Sequence, residues 1–355
     1  MQPFIKWAGG KTNELSIIKE NMPKNINRYI EPFIGGGAAY LDINHKTSLI
    51  NDLSTELINL YTCIKEQNKA FFDELEMVYS SFRKIDILID NNNNIILNLY
   101  NGKIKIDDFI TTFKETFFEI GKINTDVYFH QLKRNLNSKI KRSLKLEEKQ
   151  SIPDKDRIDN IECAIKSAYY MTIRELYNHP EEYSIPEQTA FFYFIREYCY
   201  SSMFRYNSKG EFNVPYGGIS YNRKNFQAKI DYLKSSELIS CLNETDIYNE
   251  DFEDFLNKIN PQKDDFIFLD PPYDSEFSTY CMNEFDKKAQ MRLRNCMIET
   301  KANFMLIIKD TPFIRELYQD NFYINDFDKN YLVSFKNRNN KAVNHLIITN
   351  YKINR

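Results

Sequence analysis

The two ends of the chain alternate short apolar runs with stretches of helical spacing, and this pattern predicts an α/β sheet. Residues 29–34 and 48–52 predict strands. Ser54 is placed to cap a helix whose apolar stripe includes Leu57, Tyr61 and Ile64. Toward the other end, strands are predicted at residues 238–242, 266–269, 304–308, 331–335 and 345–349. The last two predict a terminal antiparallel pair joined by an Asn-rich loop.

Residues 66–225 have a different texture, in which aromatic and charged residues mix at helical periods. The asparagine run at 91–94 predicts a loop or turn, and the prolines Pro153 and Pro180 predict further breaks between helices. We therefore expect one doubly wound α/β sheet built from residues 1–65 and 226–355, with a mostly helical insertion at 66–225.

Composition narrows the class of protein. The chain has 355 residues, 42% hydrophobic residues and a formal net charge of −3, which neither demands nor excludes a nucleic acid partner. Six scattered cysteines predict reduced thiols in a cytoplasmic protein, and four unpaired histidines argue against a zinc site. No run predicts a signal peptide or a membrane span.

Two basic clusters interrupt this neutral balance. The first cluster, between positions 133 and 149, contains seven Lys and Arg and only two acidic residues. The second cluster is a short set in the Asn-rich loop. Their members are Lys133, Arg134, Lys139, Lys141, Arg142, Lys145 and Lys149, and then Lys336, Arg338 and Lys341. Each cluster is either a nucleic-acid contact or a solvated helix face or loop.

Asp270-Pro271-Pro272-Tyr273 directly follows the predicted strand at 266–269. Ligands of open α/β sheets bind at the carboxyl ends of the strands. Proline lacks an N–H group, so carbonyls beside Pro271 and Pro272 are available as acceptors. A carboxylate, a carbonyl and an aromatic ring suit a planar base with an exocyclic amine; the structural alternative is a turn.

A glycine motif, residues 31–38, follows the first predicted strand, and Asp52 ends the second. Glycines between a strand and a helix allow a tight turn and close approach of a ligand, and an acidic residue on the next strand can accept from ribose hydroxyls. The motif has no basic residue to meet a phosphate chain. It predicts a ribose-bearing ligand without phosphates, with S-adenosylmethionine as the candidate; the alternative is a plain turn.

Residues 4–11 form a third motif, with the only tryptophan of the chain beside two glycines and between two lysines. Trp7 is placed either to pack on a ligand or to anchor the terminus to the core. Lys11 is either a functional cation or an ordinary lysine at the start of a helix.

In their order along the chain, residues 4–11, 31–38, 51–52, 205–217 and 270–273 resemble the Dam-type (class alpha, D12) DNA adenine N6-methyltransferases. The resemblance covers residues 1–65 and about 190–350. It implies a class I methyltransferase (Rossmann-like) sheet, S-adenosyl-L-methionine as cofactor, and methylation of an adenine flipped out of double-stranded DNA. A cognate restriction endonuclease is a functional partner that such enzymes can have.

The resemblance also assigns residues. The implied catalytic residues are Asp270, Pro271, Pro272 and Tyr273. The implied cofactor contacts are Trp7, Lys11, Glu31, Phe33, Gly35, Gly37, Asp52, Asp246 and Asp270, where Asp246 follows the strand predicted at 238–242. The implied DNA contacts are Lys6, Tyr200, Ser201, Met203, Arg205, Asn213 and Pro215, most of them in a DNA-recognition hairpin near 200–220.

Two departures leave the recognised site open. Gly218 and Ile219 follow Gly217 where the family usually continues Gly-Arg-Tyr, and Ser201 stands where the family usually has asparagine. GATC is therefore one candidate among short adenine-containing sites. A methyltransferase of cytosine N4, RNA or a protein amide, and a non-catalytic DNA-binding module, remain alternatives.

Overall fold

The computed structural model of the chain describes residues 1–353 apart from residues 8, 13, 273–284 and 330–342. The chain divides into two compact units, one formed by Met1–Lys65 with Ser235–Arg355 and the other by Glu66–Lys234. The first boundary lies where the sequence pattern changes. The second lies after residue 234, so the segment 226–234, which we had assigned to the sheet, belongs to the second unit.

The first unit is built on a sheet that has seven strands among the described residues. They are β1 (Tyr29–Glu31), β2 (Ser48–Asn51), β3 (Thr245–Tyr248), β4 (Phe266–Leu269), β5 (Asn303–Lys309), β6 (Tyr323–Lys329) and β7 (Val343–Thr349). Their order is β3-β2-β1-β4-β5-β7-β6. The first five in this order are mutually parallel, and β7 is antiparallel to both of its neighbours. This order confirms the predicted Rossmann-like α/β class.

The α-helices of the described residues fall between and beyond these strands. From the N-terminus they are α1 (Leu15–Asn21), α2 (Ala38–Ile43), α3 (Thr55–Lys65), α4 (Lys69–Asn91), α5 (Asn93–Tyr100), α6 (Ile106–Thr112), α7 (Lys114–Ile120) and α8 (Thr125–Glu147). They continue as α9 (Asp154–Tyr177), α10 (Ile185–Tyr198), α11 (Gln227–Leu233), α12 (Ser236–Asn243), α13 (Phe252–Ile259), α14 (Lys287–Glu299) and α15 (Pro312–Tyr318).

Local sequence explains the elements that frame the functional edge. All four side chains of β4 are buried, as its continuous apolar run predicts for a strand covered on both faces. Ser54 accepts a hydrogen bond from the Leu57 amide at 3.4 Å and so starts α3. The apolar stripe of α3 is buried as predicted. The strand order places β1 inside the sheet, between β2 and β4.

The strand predicted at 238–242 is wrong, because these residues belong to α12. Ser235 caps that helix by accepting from the Leu238 amide at 3.4 Å, and Leu238, Cys241 and Leu242 bury one face at helical spacing. The strand in this region is β3, which begins three residues later and whose burial is partial. Its short, mixed pattern carries little apolar signal.

Two other predictions concern the asparagine run at 91–94 and the terminal pair of strands. The asparagine run is a one-residue junction rather than a loop, since α4 ends at Asn91, α5 begins at Asn93, and Asn92 lies between them. Strand β6 pairs with β7 in the predicted antiparallel sense, but it covers residues 323–329. The strand predicted at 331–335 lies outside the described residues, as does the second basic cluster.

The second unit has its own core, to which aromatic rings of three helices contribute. Phe82 on α4 lies 4.7 Å from the ring of Tyr198 and 5.4 Å from that of Phe194, both on α10. Tyr169 on α9 lies 6.0 Å from both Phe82 and Phe194. Tyr216, in the segment that follows α10, packs on the same cluster, with its ring 6.4 Å from the rings of Phe82 and Tyr198.

Candidate functional site

The carboxyl ends of β1, β2 and β4 meet at one edge of the sheet and bring together residues from distant parts of the sequence. Asp270 follows the last residue of β4, and its carboxylate forms an ion pair with the ammonium of Lys11. Lys11 is 2% exposed and Asp270 is 17% exposed. The ammonium also donates to the Gly9 carbonyl at 3.0 Å. Lys11 therefore joins the N-terminal loop to the predicted catalytic motif.

A second carboxyl group is buried at this edge. Glu31, the last residue of β1, is 3% exposed and accepts a 2.6 Å hydrogen bond from the Tyr29 hydroxyl. Burial raises the pKa of Glu31 well above its ordinary range, and the neighbouring charge of Asp270 raises it further. Glu31 therefore holds a proton more readily than an exposed glutamate does, and its side chain lies inside the protein.

Asp52 follows β2 and is held by backbone donors. One carboxylate oxygen accepts from the Gly35 amide at 3.0 Å and the other from the Ser54 amide at 3.0 Å. Burial raises the pKa of Asp52, while both backbone hydrogen bonds oppose that shift. The contact with Gly35 fixes the turn within the glycine motif (the glycine turn, residues 34–37) to the end of the neighbouring strand β2.

The glycine turn packs against the indole of Trp7. Gly35 has φ +48°, and a Cβ there would lie 2.9 Å from Trp7 Cδ1. Gly37 has φ +70°, and a Cβ there would overlap the hydroxyl of Tyr61. Close packing within the protein is therefore sufficient reason for both glycines. Trp7 is half-buried against this turn and joins the same edge as Asp52.

The other predicted residues of this edge differ in their surroundings. The ring of Phe33 lies 5.5 Å from Phe252 and 5.4 Å from Phe285. Pro271 is buried and Pro272 is exposed. Tyr273 lies outside the described residues.

We expected Asp246 to follow a strand. In the structure it is instead the second residue of β3. It pairs in register with Leu49, whereas Asn51, the residue before Asp52, pairs with Tyr248. Its exposed side chain is therefore set back from the carboxyl edge. The incorrect strand at 238–242 caused this difference.

In the second unit, residues 199–216 form an irregular hairpin, defined by the bridges Cys199–Tyr216 and Tyr206–Phe212. Arg205 Nε donates to Asn213 Oδ1 at 2.7 Å, and its Nη2 donates to the Asn213 carbonyl at 3.4 Å. These bonds use two of the five N–H groups of the guanidinium and leave its outer end available.

The remaining predicted DNA contacts of this unit lie near one end of the hairpin. Tyr200 and Met203 are exposed by 46% and 43%, and the Tyr200 amide donates to the Pro215 carbonyl at 2.8 Å. Ser201 has φ +53°, in the left-handed region that asparagine adopts more readily than serine. Lys6 lies in the other unit, where its side chain is exposed.

Sequence reasoning missed the side chains that hold this hairpin. Asn178, just after α9, accepts from the Phe212 amide at 2.8 Å and donates to the Phe212 carbonyl at 3.1 Å. Tyr170 and Arg174 both donate to the Val214 carbonyl, at 2.9 and 3.2 Å. The signal available in the sequence was their spacing of four residues, which places them on one face of α9.

No group of three or more His, Cys, Asp and Glu side chains within the described residues could hold a metal ion. In the same part of the chain, no helix is both long enough and apolar enough to cross a membrane.

Comparison with known proteins identifies the relatives of this chain. The family profile described as D12 class N6 adenine-specific DNA methyltransferase matches residues 7–333. Type II methyltransferase M.CviBI of Paramecium bursaria Chlorella virus NC1A is 27% identical and covers 99% of this chain and 100% of that protein. Type II methyltransferase M1.LlaDCHI of Lactococcus lactis subsp. cremoris is also 27% identical, over 99% of this chain and 96% of that protein. The DNA adenine methylase of Haemophilus influenzae is 24% identical, over 89% of this chain and 82% of that protein.

Proposed function

Because the chain belongs to the D12 class N6 adenine-specific DNA methyltransferase family, we propose that it transfers a methyl group from S-adenosyl-L-methionine to N6 of an adenine flipped out of a short double-stranded DNA site. The observation that carries this proposal is the ion pair between Asp270 and the buried Lys11 at the carboxyl edge of the sheet. It supplies a charged, fixed hydrogen-bond acceptor directly before two prolines.

The edge formed by Trp7, the glycine turn and Asp52 fits the proposed cofactor. Asp52 is held by two backbone amides, yet each of its oxygens retains a lone pair for a ribose hydroxyl. The glycine motif carries no cation to meet phosphates, which favours a nucleoside over a nucleotide. S-adenosylmethionine, when bound, supplies an electrophilic methyl group on a positively charged sulfur.

The proposed chemistry requires only hydrogen-bond acceptors. Adenine N6 is a poor nucleophile, because its lone pair is delocalised into the ring. The Asp270 carboxylate and the Pro271 carbonyl accept hydrogen bonds from the two N–H groups of N6 and localise that lone pair toward the methyl group. One of these two protons must leave N6 when the N–C bond forms and the S–C bond to the donor breaks. Preorganised acceptors of this kind stabilise charge that grows on N6 during transfer.

The neighbours of Asp270 prepare it for this role. The ammonium of Lys11 pairs with the Asp270 carboxylate, and burial favours the protonated form of Glu31, in which Glu31 adds no competing negative charge. Pro272 limits the backbone conformations of the motif, and we assign Tyr273 to stacking on the flipped base.

DNA recognition is assigned to the hairpin 199–216, with Lys6 as a contact outside the flipped base. An adenine inside a duplex is inaccessible to the enzyme, so flipping at a cost of a few kcal/mol is part of the proposal. We take GATC as the first site to test. The type II names of two relatives support a cognate restriction endonuclease as a functional partner.

The test is expression in a host that lacks adenine methylation, followed by digestion of its DNA to nucleosides. We expect N6-methyladenine in cells with the wild-type chain and none with Asp270→Asn, which keeps the size of the side chain but not its charge. Sequencing that detects modified bases then reads the site. N4-methylcytosine, or no modified base from a folded wild-type protein, would contradict the proposal.

The cofactor assignment has its own measurement. Asp52→Ala should weaken binding of S-adenosylmethionine in calorimetry by about tenfold or more, since one hydrogen bond to a charged acceptor contributes about 1.5–3 kcal/mol. Binding of DNA should change little. Equal cofactor affinity in the two proteins would remove Asp52 from the site.

A further inference from the structure

Helix α8 has one face that is basic and free of acidic residues. Its sequence from Val127 to Leu146 contains six Lys and Arg and no Asp or Glu. Five of the six cations are exposed, and we call them the basic face of α8: Lys133, Arg134, Lys141, Arg142 and Lys145. The opposite face is the buried one, with Tyr128, Leu132 and Leu136 fully covered.

Most of this charge has no ion-pair partner within the described part of the chain. Lys133 pairs with Asp107 at 2.7 Å. Among the residues that the structure describes, Lys133 is the only member of the basic face that forms an ion pair. Exposed helices usually place acidic residues three or four positions from their lysines, and like charges at that spacing, such as Lys141 and Lys145, are destabilising. The basic face therefore costs helix stability that an anionic partner would offset.

The dimensions of the basic face match a nucleic acid strand. With a rise of about 1.5 Å per residue, the stretch from Lys133 to Lys145 spans about 18 Å. One DNA strand carries a phosphate every 3.4 Å or so along the axis, so about five nucleotides lie within that length.

The basic face begins close to the side chains that hold the hairpin 199–216. Ser167 on α9 donates to the Asn135 side chain on α8 at 3.1 Å, which fixes the two helices side by side. Arg174 also lies on α9, seven residues after Ser167, which is about two helical turns. Arg174 in turn holds the Val214 carbonyl.

We propose that the basic face of α8 binds the phosphates of DNA that flanks the recognised site, and so supplies affinity without reading sequence. The inference rests on the proposed function only in taking double-stranded DNA as the partner. Phosphate contacts weaken with salt, while base contacts set specificity. The α8 face should therefore control the salt dependence of binding and leave the choice of site unchanged.

The test compares the variant Lys141→Gln/Arg142→Gln/Lys145→Gln with the wild-type chain. Binding is measured by fluorescence anisotropy on two labelled duplexes, one that contains the recognised site and one that lacks it. At about 0.9 per phosphate contact, the slope of log affinity against log salt should become shallower by about two to three. Affinity for the two duplexes should fall by the same factor.

A matched control removes three exposed lysines that precede β1, β2 and β4, at the sheet edge away from Asp270. This variant is Lys24→Gln/Lys46→Gln/Lys263→Gln, and its salt slope should equal that of wild type. An unchanged slope in the α8 variant, or a loss confined to the duplex with the site, would overturn the proposal. Binding is measured without methylation, so failure of the proposed activity would show separately, as absence of N6-methyladenine.

Discussion

Lys11 and Asp270 come from opposite ends of the sequence and meet in a site that is largely closed to water. Removing either charge leaves the other desolvated and without this ion pair, which is costlier than exchanging both for neutral groups. The pair therefore has a structural role, in joining the N-terminal loop to β4, and the proposed chemical role of keeping an acceptor charged. The two roles can be separated by experiment.

Lys11→Met should lower stability by about 3 kcal/mol, as expected for a broken buried ion pair, and should abolish methylation. Lys11→Met/Asp270→Asn should regain most of that stability, because no buried charge is left, while staying inactive. Urea unfolding and methylation assays measure the two effects. A double variant as unstable as the single one would mean that Lys11 acts through packing rather than charge.

The buried Glu31 predicts how stability depends on pH. Its pKa is raised well above the ordinary value of 4.5, so the folded protein retains a proton that the unfolded chain releases. The contribution of Glu31 to stability is therefore largest below pH 4.5 and is lost as pH rises toward the folded pKa.

Glu31→Gln cannot ionise and keeps an acceptor for the Tyr29 hydroxyl. Its stability relative to wild type should increase between about pH 5 and about pH 8, measured by urea unfolding. Glu20→Gln, at an exposed glutamate, serves as the control and should show no such trend. Parallel stability curves for wild type and Glu31→Gln would contradict a raised pKa of Glu31 in the folded protein.

At the scale of elements, the hairpin 199–216 depends on α9 for its shape. Asn178, Tyr170 and Arg174 bind main-chain groups of residues 212–214, and Asn213 then orients Arg205. A guanidinium held this way can bond a guanine edge with two parallel hydrogen bonds, which a lysine cannot reproduce.

Arg205→Ala and Arg205→Lys should both lose discrimination at one base pair of the site, by about 1–3 kcal/mol. Asn213→Ala should lose part of it, since Arg205 remains but is less well oriented. Methylation rates on all single-base variants of the site measure the effect. A uniform fall across these variants would make Arg205 a backbone contact instead.

Continuous apolar runs made β1, β2, β4, β5 and β7 predictable, and motif order led to the family. Prediction failed where the pattern was short or mixed. The helix α12 was taken for a strand because its buried positions fall close together in sequence, and β3 was overlooked for want of apolar residues. Because the strand was predicted at 238–242 rather than at 245–248, Asp246 was expected after the strand and not within it.

The candidate site was predictable only in part. Asp52 and Asp270 follow apolar runs, so both could be placed at the carboxyl edge from sequence. The partner of Asp270 could not, because the two residues are 259 positions apart and no local pattern joins them. The left-handed backbone of Ser201 was likewise invisible in the sequence. It explains why asparagine suits that position in the family.

At the scale of the molecule, the second unit should fold by itself. It has its own aromatic core, and its two ends lie side by side, since Gln67 Nε2 donates to the Leu233 carbonyl at 3.2 Å. We expect residues 66–234, expressed alone, to give a helical circular dichroism spectrum and one cooperative melting transition. Residues 66–198, which lack the hairpin and α11, are the control and should melt without cooperativity. A gradual transition in residues 66–234 would contradict independence.

The position of β1 inside the sheet has a consequence for how the protein is made. Its neighbour β2 leaves the ribosome soon after it, but its other neighbour, β4, follows about 235 residues later. At a synthesis rate of about 5–20 residues per second, the edge of β1 that pairs with β4 stays unpaired for about 10–50 s. The second unit is synthesised in that interval and can fold first. During synthesis, residues 1–65 therefore form an incomplete sheet with an exposed strand edge. We expect this segment to be the part of the nascent chain that most needs a chaperone.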